Sequence, residues 1–150
     1  MSAYRTIVVG TDGSESSYRA VEKAAALAGD AGAQLVIACA YYPADPKDTA
    51  QAADALREEA YQVTGSAPTY EILRTAREKA TVAGARKITE RPIVGAPVES
   101  LLTLVEEVDA DLIVIGNRGL NTLTGRLLGS VPSDVARKAL CDVLVVHTVR

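Results

Sequence analysis

Four short runs of β-branched and aliphatic residues, almost without polar interruption, constrain what this chain can fold into. They are Thr6–Gly10, Leu35–Ala40, Leu112–Gly116 and Val143–Thr148. A strand that faces water on one side alternates apolar with polar residues. A strand covered on both faces reads as a continuous apolar run. A fifth run, Ile88–Val94, is mixed with charge and is expected toward an edge.

Helical patterns lie between the runs. Val21, Ala24, Ala25 and Ala28 recur at helical spacing after Gly13-Ser14, with Gly29 and Gly32 flanking the end. Leu73, Ala76, Ala80 and Ala83 form a second stripe closed by Gly84. Val98, Leu101, Leu102 and Val105 form a third, with Pro97 suited to a first helical turn. Val135, Ala136, Ala139 and Leu140 form a short fourth, opened by Pro132. The segment Tyr42–Ser66 differs. Pro43, Asp45, Pro46 and Asp48 read as loop, Ala53, Leu56 and Ala60 suggest an additional helix, and Thr64–Pro68 should break it. This segment is expected to be the most mobile.

Strands alternating with helices predict βαβ units with right-handed crossovers and a parallel sheet, the α/β class. At 150 residues the chain suits one domain, residues 1–150, with one core. Aromatics are only 4% of the chain and all are Tyr, so the core must come from Val, Ile, Leu and Ala. The net charge of −3 and the lack of any Lys/Arg run argue against nucleic-acid binding. No apolar stretch approaches the roughly 18 residues that span a bilayer, so no membrane partner is expected. The start, Met1–Thr6, has no secretory pattern, so a cytoplasmic location is expected. Cys39 and Cys141 are expected as reduced, buried small residues rather than a disulfide. His147 is the only histidine, so no soft-ligand metal site is expected; it should be packed or interfacial in the last strand.

In open parallel sheets, ligands bind beyond the carboxyl ends of the strands. After the first strand comes Gly10-Thr11-Asp12-Gly13-Ser14. Asp12 can cap the following helix, or accept hydrogen bonds from ribose hydroxyls, or help hold a metal on phosphates. The turn lacks G-x-G-x-x-G, which disfavours a dinucleotide site. After the fourth strand, Gly116 and Gly119 are followed by Gly129-Ser130 and the helix opened by Pro132. Glycines let a ligand approach the backbone, and a helix N-terminus offers free N–H groups to an anion. Phosphate or nucleotide binding is therefore expected near Gly119, Gly129 and Ser130. No P-loop lysine is present. Arg118 and Arg126 can add charge or simply be solvated. Tyr41 and Tyr42 can flank an adenine or pack.

The spacing Gly116-x2-Gly119-x9-Gly129-Ser130 resembles the nucleotide-binding pattern of the universal stress protein family without a gap. Ile7–Ser14 is similar to that family's first strand and turn, and Asp109–Gly116 and Cys141–His147 to its last two strands. The resemblance covers nearly the whole chain outside Tyr42–Ser66 and extends to small actinobacterial members, some of which bind cyclic AMP as well as ATP. It implies a flavodoxin-like, Rossmann-like open sheet of five parallel strands in the order 3-2-1-4-5, with helices on both faces. Cyclic AMP or ATP would be the ligand, with Mg²⁺ possible alongside ATP. Asp12 would meet ribose or phosphates, and Ala40 would form part of the adenine wall. Gly116, Gly119, Gly129, Ser130 and Val131 would hold ribose and phosphates, and Gly10, Thr11, Ile115, Asn117 and Arg118 complete the expected site. Asn117 stands where many members carry Ser. The family's last strand often pairs with its copy, so a homodimer through Val143–Thr148 is expected.

No general base or nucleophile pair can be assembled from these motifs. The leading expectation is thus a nucleotide sensor or buffer in the stress response rather than an enzyme. A slow Mg-dependent ATPase using Asp12, and an interaction module with a vestigial pocket, are the alternatives. A phosphoacceptor receiver domain is disfavoured, since its later aspartate and lysine are missing. The scarcity of Lys around the glycine loop leans toward cyclic AMP.

Overall fold

The apolar runs become a single five-stranded sheet in the order β3-β2-β1-β4-β5. The computed structural model describes residues 2–43, 66–117 and 130–148. The strands are β1 (Thr6–Gly10), β2 (Gln34–Tyr41), β3 (Lys87–Val94), β4 (Leu112–Gly116) and β5 (Asp142–Val146). All pairings are parallel, with Val8 opposite both Val36 and Ile113. The helices described are α1 (Glu15–Ala31), α2 (Ser66–Ala83), α3 (Pro97–Val108) and α4 (Ser130–Lys138).

The continuous apolar runs have a simple origin in the pleat. Successive side chains point to opposite faces, and both faces are covered. Ile7, Val9, Leu35, Ile37, Leu112 and Val114 pack on one face against Val21, Ala24 and Ala28 of α1 and Leu73, Ala76 and Ala80 of α2. Val8, Val36, Ala38, Ile113 and Ile115 pack on the other against Leu101, Leu104 and Val105 of α3 and Val135 of α4. Alanine on α1 and α2 lets those helices lie close together. At Gly29, inside α1, an added Cβ would sit 2.5 Å from the carbonyl oxygen of Gly84, so nothing larger than glycine fits.

The ends of the elements follow local chemistry. Ser14 caps α1, its Oγ accepting the N–H of Ser17 at 3.1 Å. Gly32 ends α1 at φ 66°, the left-handed conformation that glycine adopts without cost. Pro97 opens α3, as expected, and Asp109 ends it at φ 57°. The carboxylate of Asp111 accepts the N–H of Arg5 at 2.9 Å and of Thr6 at 3.1 Å, which ties the start of β4 to that of β1.

Four of the five strands match the sequence reading to within a residue. β3 lies at an edge, where Pro92 and the Arg77–Glu90 ion pair (2.9 Å) discourage further pairing. The last strand differs: it ends at Val146, not Thr148. His147 lies beyond it and is exposed, not packed in the strand. The stripe on α4 is also corrected. Val135 is fully buried, but Ala136 is exposed and Leu140 is 84% exposed, because the helix stops at Lys138. Ser66–Pro68, expected within a break, form the first turn of α2. The additional helix suggested around Ala53, Leu56 and Ala60 lies outside the described residues.

Both cysteines are free. Cys39 is fully buried, and Cys141 partly so. No described helix is long and apolar enough to cross a membrane.

Candidate functional site

A cleft opens at the carboxyl ends of β1, β2 and β4. Its floor is Gly10, Thr11, Ala38, Ala40, Ile115 and Gly116. Its walls are Ser16 and Ser17 from α1, Pro97 and Leu101 from α3, and Val131 from α4. The topology dictates this composition. Each helix follows a strand, so the first turns of α1, α3 and α4 meet at one end of the sheet. Each helix start carries a partial positive charge, so the cleft favours a negatively charged ligand. Its described lining holds three hydroxyl side chains, from Thr11, Ser16 and Ser17, and no charged one.

The two glycines of the floor are close to their neighbours. A Cβ on Gly10 would lie 3.2 Å from a methyl of Leu101, and one on Gly116 would lie 3.3 Å from the Thr148 methyl. Glycine therefore keeps the strand ends open to the cleft.

A hydroxyl network shapes the turn after β1. The Ser17 hydroxyl donates to the Ser14 carbonyl at 2.9 Å. That uses its only proton, so Thr11 donates to Ser17 Oγ across 2.7 Å. Thr11 Oγ1 accepts the Gly13 N–H at 3.1 Å, and the Thr11 N–H donates to the Ala38 carbonyl at 2.9 Å. Asp12 Oδ1 accepts the Ser14 N–H at 3.0 Å. Asp12 thus performs the turn-forming role that sequence allowed it, and it stands beside the cleft rather than in its lining.

A second network closes the far side. Asn117 Oδ1 accepts the Thr148 N–H at 2.9 Å and its hydroxyl at 3.0 Å. With that proton committed, Ser16 donates to Thr148 Oγ1 at 2.5 Å. Arg19 Nη1 donates to the Thr148 carbonyl at 2.6 Å, and the Asn117 N–H to the Val146 carbonyl at 2.8 Å. His147 Nδ1 lies 3.5 Å from Asn117 Nδ2.

Of the residues expected from sequence, Gly10, Thr11, Ala40, Ile115, Gly116 and Val131 line one cleft. Asp12 and Asn117 flank it, and Ser130 begins α4. Arg118, Gly119, Gly129 and Arg126 lie outside the described residues. Sequence reasoning missed Ala38, Ser16, Ser17, Pro97, Leu101 and the buried Thr148. Ser16 and Ser17 carried a usable signal, since the first helical turn after the first strand faces the strand ends.

Burial pushes the Cys39 thiol up to about 12, with the Asp12 carboxylate adding to the effect. A thiol so protonated is no nucleophile near neutral pH. Among the described residues no cluster of His, Cys, Asp and Glu could hold a metal ion.

The sequence matches the Universal stress protein family over residues 3–147. It is 60% identical over 148 residues to Universal stress protein Rv1636 of Mycobacterium tuberculosis strain H37Rv, covering 99% of both chains. A crystal structure of a universal stress protein in complex with cAMP superimposes with a TM-score of 0.78. It shares 55% identity, and the match covers 99% of this chain and 100% of that one. The universal stress protein from Archaeoglobus fulgidus in complex with dAMP gives a TM-score of 0.67 at 26% identity. That match covers 95% of this chain and 97% of the other. With its sheet order, its two helical layers and a match across nearly its whole length, this chain belongs to the universal stress protein family.

Proposed function

We propose that the cleft binds an adenine nucleotide and that the protein acts as a nucleotide sensor or buffer in the stress response, not as an enzyme. The observation that carries this reading is the make-up of the cleft. Three helix starts supply positive potential, two glycines expose backbone, and the described lining has no charged side chain. The scarcity of Lys around the glycine loop leans toward a singly charged cyclic phosphate, so cyclic AMP is the preferred ligand and ATP the alternative. The complexes of two relatives with cAMP and dAMP support the choice of adenine.

In this reading Ala40 and Ala38 flank the base. Asp12 Oδ1 is engaged by the Ser14 N–H, which leaves Oδ2 for a ribose hydroxyl, or for Mg²⁺ accompanying ATP. Gly116, Asn117, Arg118, Gly119, Gly129, Ser130 and Val131 complete the ribose and phosphate side, with Gly10, Thr11 and Ile115 beneath. The edge of β5 pairs with a second copy to form a homodimer, and the location is cytoplasmic.

Equilibrium dialysis of nucleotide-free protein against labelled cyclic AMP tests the central part. Saturable binding supports it, and retention of no adenine nucleotide sinks it. Rapid ATP turnover that Asp12→Ala abolishes while binding persists would replace the sensor reading with the ATPase reading. Sedimentation at the mass of two 15.7 kDa chains supports the dimer, and a single-chain mass opposes it.

A further inference from the structure

We infer that Thr148 is a positioning residue for the cleft, acting through Ser16 and Gly116. The inference rests on reading the cleft as a nucleotide site. Thr148 follows the last strand and is only 3% exposed, yet every polar atom it has is engaged. Its hydroxyl donates to Asn117 Oδ1 at 3.0 Å and accepts from Ser16 Oγ at 2.5 Å. Its N–H goes to the same Asn117 oxygen, and its carbonyl takes Arg19 Nη1 at 2.6 Å. Its methyl fills the space beside Gly116, 3.3 Å from where a Cβ on that residue would stand.

Two of these partners, Ser16 and Gly116, line the cleft; Thr148 does not. They come from different elements, the first turn of α1 and the end of β4. Thr148 lies against both. It fixes the rotamer of Ser16 by giving its proton a single acceptor, and it sets the height of the Gly116 backbone by contact. Ser16 and Arg19 lie three residues apart, on one helix face, so both grip the same end of the chain. The segment after β5 therefore acts as a bolt across the cleft's far wall.

Coupling between two sites is reciprocal. If the bolt shapes the cleft, a ligand in the cleft tightens the bolt. Binding of cyclic AMP should then slow hydrogen exchange of the Thr148 and Asn117 amides.

The test is a binding cycle with cyclic AMP on the full chain. Thr148→Val keeps the shape but removes both hydroxyl bonds, and it is expected to weaken binding about tenfold, the equivalent of one neutral hydrogen bond. Thr148→Ser restores the hydroxyl and should recover most of the affinity. Because Ser16 and Thr148 act through one bond, Ser16→Ala combined with Thr148→Val should bind no worse than the weaker single variant. Wild-type affinity in a folded Thr148→Val protein, strictly additive losses, or unchanged amide exchange on binding overturns the inference. Should Thr148→Val fail to fold, amide exchange in the unaltered protein decides alone. Absence of binding by the unaltered protein sinks the nucleotide reading itself, a result distinct from these.

Discussion

Asn117 and Thr148 lie 31 residues apart in sequence, and one side-chain oxygen of the first accepts both the backbone N–H and the hydroxyl of the second. The bond partners lie just beyond the ends of β4 and β5, the pair of strands at one side of the sheet. Removing the amide leaves a buried N–H and a buried hydroxyl without that acceptor. Asn117→Ala is expected to cost about 1–3 kcal/mol of stability. Urea denaturation measures it, and an unchanged midpoint would contradict the bond's importance.

Gly29 offers a sign test. Replacing a helical glycine with alanine ordinarily stabilises by about 0.5–1 kcal/mol. Here the new Cβ meets the backbone oxygen of Gly84 at 2.5 Å, which cannot rotate away. Gly29→Ala should instead destabilise by about 1–3 kcal/mol through overpacking between α1 and the end of α2. A raised melting temperature would refute this packing.

Gly10 separates stability from binding. The methyl introduced by Gly10→Ala meets only the flexible end of Leu101 at 3.2 Å, so folding should lose less than about 1 kcal/mol. The same methyl enters the cleft floor, and nucleotide affinity should fall roughly tenfold or more. Equal affinity in both proteins would place the ligand elsewhere.

Cys39 makes stability depend on alkaline pH. Its thiol stands at about 12 in the folded chain against 9.0 when unperturbed. Between those values the folded protein holds a proton that the unfolded chain has lost, so stability is full below pH 9 and falls as pH rises toward 12. Tyr4 and Tyr18 are also raised from 10.0 and add to the slope from there upward. Melting curves from pH 8 to 10.5 should show a shallower decline in Cys39→Ala than in the parent. Matching slopes would mean the thiol titrates normally.

The sheet was legible because burial on both faces leaves a one-dimensional trace. Ile7–Val9 and Leu112–Ile115 have no polar residue to interrupt them. The same trace misled at the end of the chain. The apolar run leads through Val146 toward Thr148, but Thr148 gives its N–H to the Asn117 side chain, its carbonyl to Arg19 and its hydroxyl oxygen to Ser16, so the ladder ends at Val146. Nothing within the sequence near Thr148 announces partners 129 and 132 residues away. On α4 the spacing suggested a stripe through Leu140. The helix is too short to carry it: Val135 is buried in the core and Ala139 packs partly against it, while Ala136 and Leu140 face outward.

The site divides in the same way. Gly10 and Gly116 follow from the rule that strand ends face the ligand, Ala40 follows from the resemblance to the family, and all three line the cleft. Pro97 and Leu101 also line it, yet their pattern in sequence is that of an ordinary helix start and core stripe. Their position depends on where α3 crosses the sheet, which spacing does not encode.

Calorimetric titration of nucleotide-free protein with cyclic AMP, then with ATP with and without Mg²⁺, tests the central claim most directly. Saturable binding of cyclic AMP, tighter than that of ATP in either condition, is the result expected from a cleft ringed by helix starts whose described lining carries no charged side chain. No heat of binding with any of these nucleotides would contradict the account. Tight binding of ATP only with Mg²⁺ would reverse the ligand preference and bring Asp12 to the centre.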